Sequence, residues 1–495
     1  MLAVIGRAAA GLALLAVTGC ATTGGESGKM SLAPPSWLGG KSEHTTQISG
    51  LKPGPYEASS LAVGEEKDIA QRRGDGLGFV RSAPIELYLN ELRSKIVGAS
   101  GKTEVPGRVM ILANPAFAAY STPDGNVYVS MGVLESLETE DEVAALLAHE
   151  TSHVLLKHHS SDLMGDMQKK AQALYEIGVG AKTAVSGSKT VSKSDARGLN
   201  QAQLAVDATD KLVLPAWNRP QEREADLLGV DLLVESRHSA PAMITMLEKL
   251  QAWEKANSES EESFGERVKQ AAQRNVNEAV SMTYQRMVET VSASHPKTSE
   301  RIEETAQYLE RHYGSRDLGA PKGAPWTALK SRPDVAQVMR NYKQAFSAKK
   351  LLDQGKAQEA YAAAKAAATE RTATDAYPNW VLARSAAALG RQREAIDALR
   401  RAVSSTEPVP QVYEDLIIAN EQVGSVPVAL EWTDRASATF GGAPRWTPHK
   451  IRLLRKTGRI AEAETLTLNC AVSTPDWKRP CQEANQTPAG RAPQR

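Results

Sequence analysis

The sequence predicts a mostly α-helical chain. An α+β part with a small sheet comes first, and a helical solenoid fills the last third. Three observations carry this. Long apolar runs with helical spacing dominate the chain, short β-rich runs are confined to residues 108–130, and the C-terminal third repeats itself. At 495 residues the chain is long enough for two or three domains, each with its own core.

The elements follow in order. Arg7 precedes an apolar run over residues 8–17, too short for a membrane span and typical of a signal segment, 1–19. Residues 20–60, rich in Gly, Ser, Thr and Pro, read as a flexible tether. Residues 85–97 have helical spacing, and 108–113 and 127–130 read as short strands. A helix is expected over residues 140–158, begun by Thr139 with Glu142 three positions on as a capping box. A second follows over 221–235, where Leu227, Leu228, Val230, Leu232 and Leu233 mark a buried run. Residues 164–216 and 254–285 read as polar or charged insertions, either able to cover a cleft. The segment 314–335 is the expected linker and 485–495 a disordered tail.

Between them, residues 336–484 carry the repeat. Gly355, Gly390, Gly424 and Gly458 are spaced by 35, 34 and 34 residues, and each is followed five positions later by Ala360, Ala395, Ala429 or Ala463. Glycine permits a tight turn between paired helices, and alanine lets them approach closely. Leu399, Leu416, Ile417, Leu430 and Leu453 are the expected stacking core. This period resembles the tetratricopeptide repeat, whose stacked hairpins form a groove for extended segments or other proteins.

Global composition excludes little but is consistent. Net charge is +1 with 24% charged residues, which points to neither nucleic acid nor an acidic substrate. Aromatic content of 5% argues against a surface that stacks sugars or single-stranded bases.

The chemistry is concentrated in His149-Glu150-Thr151-Ser152-His153. Of nine histidines, four fall between positions 149 and 159. On a helix, His149 and His153 share a face, so both rings can converge on one ion. Neutral imidazoles suit zinc, and Glu150 beside them can act as a proton acceptor. A chance match is expected in about one such chain in a hundred. Two histidines leave a catalytic zinc short of a third protein ligand. Glu222 and Asp226, again four apart, are the candidates: one carboxylate on the metal, the other accepting a ring N–H from a histidine ligand.

His149-Glu150-x-x-His153 followed by Glu222-x-x-x-Asp226 resembles the M48 metallopeptidases, the gluzincin group that includes the CAAX prenyl proteases. The resemblance covers roughly residues 60–310. It implies an α+β zincin-like metallopeptidase domain ahead of the tetratricopeptide solenoid. It also implies one Zn2+ held by His149, His153 and Glu222, with Glu150 as general base and Asp226 in support. Asn114-Pro115-Ala116-Phe117 and the run from Gly125 to Gly132 resemble the family's strand before the zinc helix, whose edge receives substrate as an added strand. His158 matches a recurrent histidine after the motif. Ser294-His295-Pro296 with Arg301 resembles a downstream segment. There His295 has two readings, a fourth ligand that gates the resting site or a residue that caps the turn before Pro296. His238 and His295 are the candidate oxyanion donors.

Val17-Thr18-Gly19-Cys20 resembles a bacterial lipobox. It implies lipidation at Cys20, contact with the membrane by that anchor alone, and, with Ala21 next, placement in the periplasm at the outer membrane. Cys470 and Cys481, eleven residues apart, are close enough for a local disulfide in such an oxidising space. Three functional expectations follow. One is an envelope endopeptidase for unfolded or stalled proteins recruited by the repeats. Another is a scaffold for outer-membrane assembly machinery docked in the repeat groove. The last is an adaptor with a structural metal.

Overall fold

Helices built on apolar runs make up most of the fold. The computed structural model describes residues 45–75, 78–160, 219–257, 298–316, 318, 322–442, 444–474 and 477–489. Expectations for the signal segment, Cys20, His295 and the insertion 164–216 lie outside the described residues, as does the insertion 254–285 beyond residue 257.

The first part contains helices α1 (Glu65–Asp75), α2 (Ala83–Ala99), α3 (Met131–Ser136), α4 (Glu140–Leu155), α5 (Arg219–Glu235), α6 (Ala242–Asn257), α7 (Thr298–Tyr313) and α8 (Ala324–Ser331). It also contains strands β1 (Gly54–Pro55), β2 (Lys102–Thr103), β3 (Val109–Leu112), β4 (Ala119–Ser121) and β5 (Val127–Ser130). β5 is central. It runs parallel to β3, with Val109 opposite Val127 and Leu112 opposite Ser130, and antiparallel to β4, with Ala119 opposite Val129. All four β5 residues are buried, so the strand reads as an apolar run rather than an alternation. β4 had no sequence signal; three residues are too few to show a period. α1 is clamped over the β4–β5 turn by buried Asp68, which accepts hydrogen bonds from Thr122, Asn126 and Tyr128, each 2.8 Å.

α4 is the axis of this part. It packs on α5, α2 and α6, and every residue from Asp141 to Leu155 is buried. Its start is the expected capping box: the Glu142 amide donates to Thr139 Oγ1 at 3.1 Å, and the Thr139 amide donates back to the Glu142 carboxylate. Its end differs from the expected residue 158. The helix stops at Leu155, and Lys157 turns the chain with φ +55° into a 3-10 turn at His158–Ser160.

The tether expected over residues 20–60 is shorter than its composition suggests. From residue 45 the backbone has partners. Asp231 accepts from the Ile48 amide and from the hydroxyls of Tyr308 and Tyr313, and β1 pairs with β2. The segment 314–335 includes α8, whose Trp326 is fully buried and donates from Nε1 to the Leu137 carbonyl at 2.9 Å.

The last third comprises α9 (Pro333–Asp353), α10 (Ala357–Ala367), α11 (Ala376–Ala388), α12 (Gln392–Val403), α13 (Pro410–Gln422), α14 (Val426–Thr439), α15 (Thr447–Lys456), α16 (Ile460–Ser473) and α17 (Lys478–Ala484). Each of α9 to α16 packs on the next. Gly355, Gly390, Gly424 and Gly458 occupy the turns of successive hairpins with φ between +73° and +80°, and the four paired alanines are buried. Leu399, Leu416, Ile417, Leu430 and Leu453 are buried as well. One apolar core runs continuously from Val80 to Ala419, and a second serves the final hairpins. Cys470 and Cys481 are disulfide-bonded. In the expected tail, Arg455 binds the Asn485 side chain and the Thr487 carbonyl. Residues 490–495 lie outside the described residues. Among the described residues, no helix is long and apolar enough to cross a membrane.

Candidate metal centre

α4 contributes His149, Glu150 and His153, and the first turn of α5 contributes Glu222, with Asp226 one turn later. Gly229 permits this pairing: a Cβ there would lie 2.5 Å from Met243 Cε and 3.4 Å from the His149 amide nitrogen. A larger residue there would have to displace the Met243 methyl, so the glycine leaves room for close packing against α4 and α6. The isolated glycine in an otherwise apolar helical run was the available sequence signal for this contact.

The two Nε2 atoms of His149 and His153 lie 3.1 Å apart. Glu222 Oε1 is 3.5 Å from His153 Nε2, and Oε2 is 3.8 Å from His149 Nε2. Donor atoms around a tetrahedral ion bonded at zinc distances sit about 3.3 Å apart. The three side chains therefore have the type and spacing that zinc requires, and the ligand atoms fall within 4.8 Å of one another. No other such cluster occurs among the described residues.

Surrounding groups hold these ligands. Asp226 Oδ1 is 2.9 Å from His149 Nδ1; a proton on that nitrogen would leave Nε2 free to bind a metal. Buried Arg301 donates from Nε and Nη2 to Asp226, both at 2.8 Å, and its Nη1 is 2.9 Å from Glu222 Oε2. Burial pushes both carboxyls toward the neutral acid, but the Arg301 guanidinium, with the imidazoles, more than reverses this and holds both below their ordinary range. Burial pushes the His153 imidazolium down to about 3, so its ring is neutral. For His149, burial also disfavours the cation, but Asp226 outweighs it and raises the value.

Glu150 is enclosed, and burial pushes its carboxyl up to about 7. Its Oε2 has no hydrogen-bond partner among the described residues, while Ser121 at the end of β4 contacts the carboxyl. A buried carboxylate poised near neutrality and short of a partner can exchange a proton with a bound water.

Sequence reading identified Arg301 and His158 by position but not by what they touch. The Arg301 contacts are described above. His158 Nδ1 is 2.9 Å from His153 Nδ1, and its Nε2 is 3.3 Å from Glu224 Oε2. His159 faces Ser121 at 3.4 Å. Glu224 had no signal beyond its place in a charged run. His238 is not at the site: it lies 3.7 Å from Glu140 at the start of α4. Ten residues of helix, about 15 Å, separate that turn from Glu150, so His238 cannot be an oxyanion donor.

Residues 87–309 match peptidase family M48. The Beta-barrel assembly-enhancing protease of Escherichia coli K12 is 26% identical over 202 residues, which cover 40% of this chain and 40% of that protein. Its counterpart from Yersinia pestis is 26% identical over 199 residues, covering 38% and 39%. The mitochondrial metalloendopeptidase OMA1 of Schizosaccharomyces pombe is 22% identical over 275 residues, covering 56% of this chain and 68% of that protein. The likeness to the two bacterial proteases thus spans well under half of their length.

Proposed function

Because residues 87–309 form a domain of peptidase family M48, we propose that this metallopeptidase is a zinc-dependent endopeptidase of the bacterial envelope. In this reading it hydrolyses misfolded or stalled proteins recruited by tetratricopeptide repeats over residues 336–484. The carrying observation is the convergence of His149, His153 and Glu222 at tetrahedral spacing, with Glu150 beside them. When bound there, zinc supplies Lewis acidity, which acidifies water and polarises a peptide carbonyl.

The chain's own residues do the rest. Glu150 accepts a proton from the attacking water at its open Oε2 and passes it to the departing amine. β4 is an edge strand, and the pairing of Ala118 and Thr122 with β5 turns the main-chain groups of Ala119 to the outer side. A substrate segment added there as a strand runs beside Glu150 and is held by main-chain bonds that tolerate many sequences. Lipidation at Cys20 anchors the chain, with the outer membrane as its place.

The experiment is metal analysis paired with casein cleavage, wild type against Glu150→Gln. One equivalent of zinc in both proteins is expected, with turnover reduced by about 10²–10⁴-fold in the variant. Cleavage by Glu150→Gln at the wild-type rate removes Glu150 as the base. The likeness to proteases named for assisting barrel assembly favours a second reading, a scaffold for outer-membrane assembly in which proteolysis is secondary. Cells carrying only Glu150→Gln separate the two: normal barrel-protein levels favour the scaffold.

A further inference from the structure

We propose that His158 and Glu224 are positioning residues that select the tautomer of His153 and hold its ring on the metal. The inference rests on the zinc reading of the site and adds residues that this reading does not use.

The geometry begins at the end of α4. Lys157 takes φ +55°, in the left-handed region that a lysine seldom enters. That turn folds His158 back, so its ring meets the His153 ring edge to face with centroids 4.9 Å apart. α5 fastens the turn on both sides of the ligand Glu222. Gln221 Nε2 donates to the His158 carbonyl at 3.1 Å, and Glu224 Oε2 faces His158 Nε2 at 3.3 Å.

Proton placement then follows from the partners. A carboxylate only accepts, so the His158 tautomer that pairs with Glu224 carries its ring proton on Nε2. His158 Nδ1 is then an acceptor, 2.9 Å from His153 Nδ1, which must donate. That leaves His153 Nε2 as a bare lone pair. On the other ligand candidate, Asp226 Oδ1 lies 2.9 Å from His149 Nδ1. The two Nε2 atoms meet 3.1 Å apart beside the Glu222 carboxylate, the point at which a cation would be held. The chain therefore orients its two histidine ligands differently, His149 by a carboxylate directly and His153 by a carboxylate acting through a second imidazole. Supporting partners of this kind are worth about 10–100-fold in metal affinity.

The test uses the full chain and zinc alone, with affinity read by chelator competition and the site's geometry by the absorption of bound cobalt(II). His158→Phe keeps the ring's bulk but removes the acceptor, and zinc affinity is expected to fall by about 10–100-fold with an altered cobalt spectrum. His158→Gln, whose amide oxygen can accept from His153 while its nitrogen donates to Glu224, should recover most of that loss. Glu224→Ala lies on a half-exposed side chain and should weaken zinc by a smaller factor without touching the fold. Wild-type affinity in His158→Phe overturns the proposal, and so does a His158→Gln as weak as His158→Phe, which would mean that an acceptor at this position does not orient His153. Should His158→Phe fail to fold, Glu224→Ala decides: unchanged zinc binding there overturns the relay. If the wild-type chain takes up no zinc, the metal reading itself falls, a result that the variants cannot imitate.

Discussion

Arg301 balances the charge of the buried site. Three of its nitrogens meet Asp226 and Glu222, and all three side chains are buried. A charge group of this kind is costly to break because it leaves uncompensated carboxylates in a low-dielectric interior. Arg301→Met is expected to lower unfolding stability by about 3–5 kcal/mol, as measured by urea titration of the metal-free protein. Arg301→Lys should restore only part of this, since one ammonium cannot reproduce the guanidinium fork. A fully stable Arg301→Met would show that the two carboxyls do not need the cation. The histidine pair was legible at this scale because both candidate ligands lie four residues apart on one helix. Glu222 was singled out by its spacing to Asp226 and by family resemblance, because nearly seventy residues separate it from His153. Arg301, farther still along the chain, showed no local pattern that would reveal its contacts.

At the scale of elements, legibility followed length and period. α2, α4, α5, β3 and β5 were expected within a few residues of where they lie, whereas β4 was missed and the end of α4 was misplaced. Lysine carries no turn signal, so the left-handed Lys157 could not be anticipated. The glycine turns were legible because a single requirement recurs at each hairpin. At Gly390, φ is +73° and a Cβ would touch nothing within 4 Å. Gly390→Ala therefore isolates backbone strain and should cost about 1–2 kcal/mol in thermal or denaturant unfolding. The disulfide ties α17 to α16 through an eleven-residue span. Cys481→Ser should loosen residues 478–489, with a local loss of about 3 kcal/mol or less seen as faster amide exchange, and leave peptide cleavage unchanged. Loss of cleavage in that variant would tie α17 to the candidate metal centre.

Across the whole molecule, the first part and the C-terminal hairpins share a core, and Glu135 lies in their contact. It sits on α3, which packs against α9, with Lys343 of α9 and Lys330 of α8 nearby. Burial pushes its carboxyl up to about 7, and one oxygen has no hydrogen-bond partner among the described residues. A carboxyl raised in the folded state stabilises the fold when protonated. That contribution is complete below about pH 4.5 and is lost as pH rises through 7. Glu135→Gln should thus match the wild type at pH 4.5 and exceed it at pH 8. Partial exposure and screening reduce the gain to the order of 1 kcal/mol. Melting of both metal-free proteins at the two pH values checks this; equal midpoints at pH 8 would mean that Glu135 finds a partner when ionised.

Sequence alone determined what is local and periodic: the helices, the four-residue spacing of ligand candidates, and the recurring hairpin turns. These depend on side-chain order along one element, which the chain states directly. Only the tertiary structure decided which partners surround each ligand. It placed Arg301 between two carboxylates, His158 behind His153, Gly229 at the α4–α5 contact, and His238 away from the site. Such contacts join residues far apart in the chain, and their existence depends on how closely two packed helices approach.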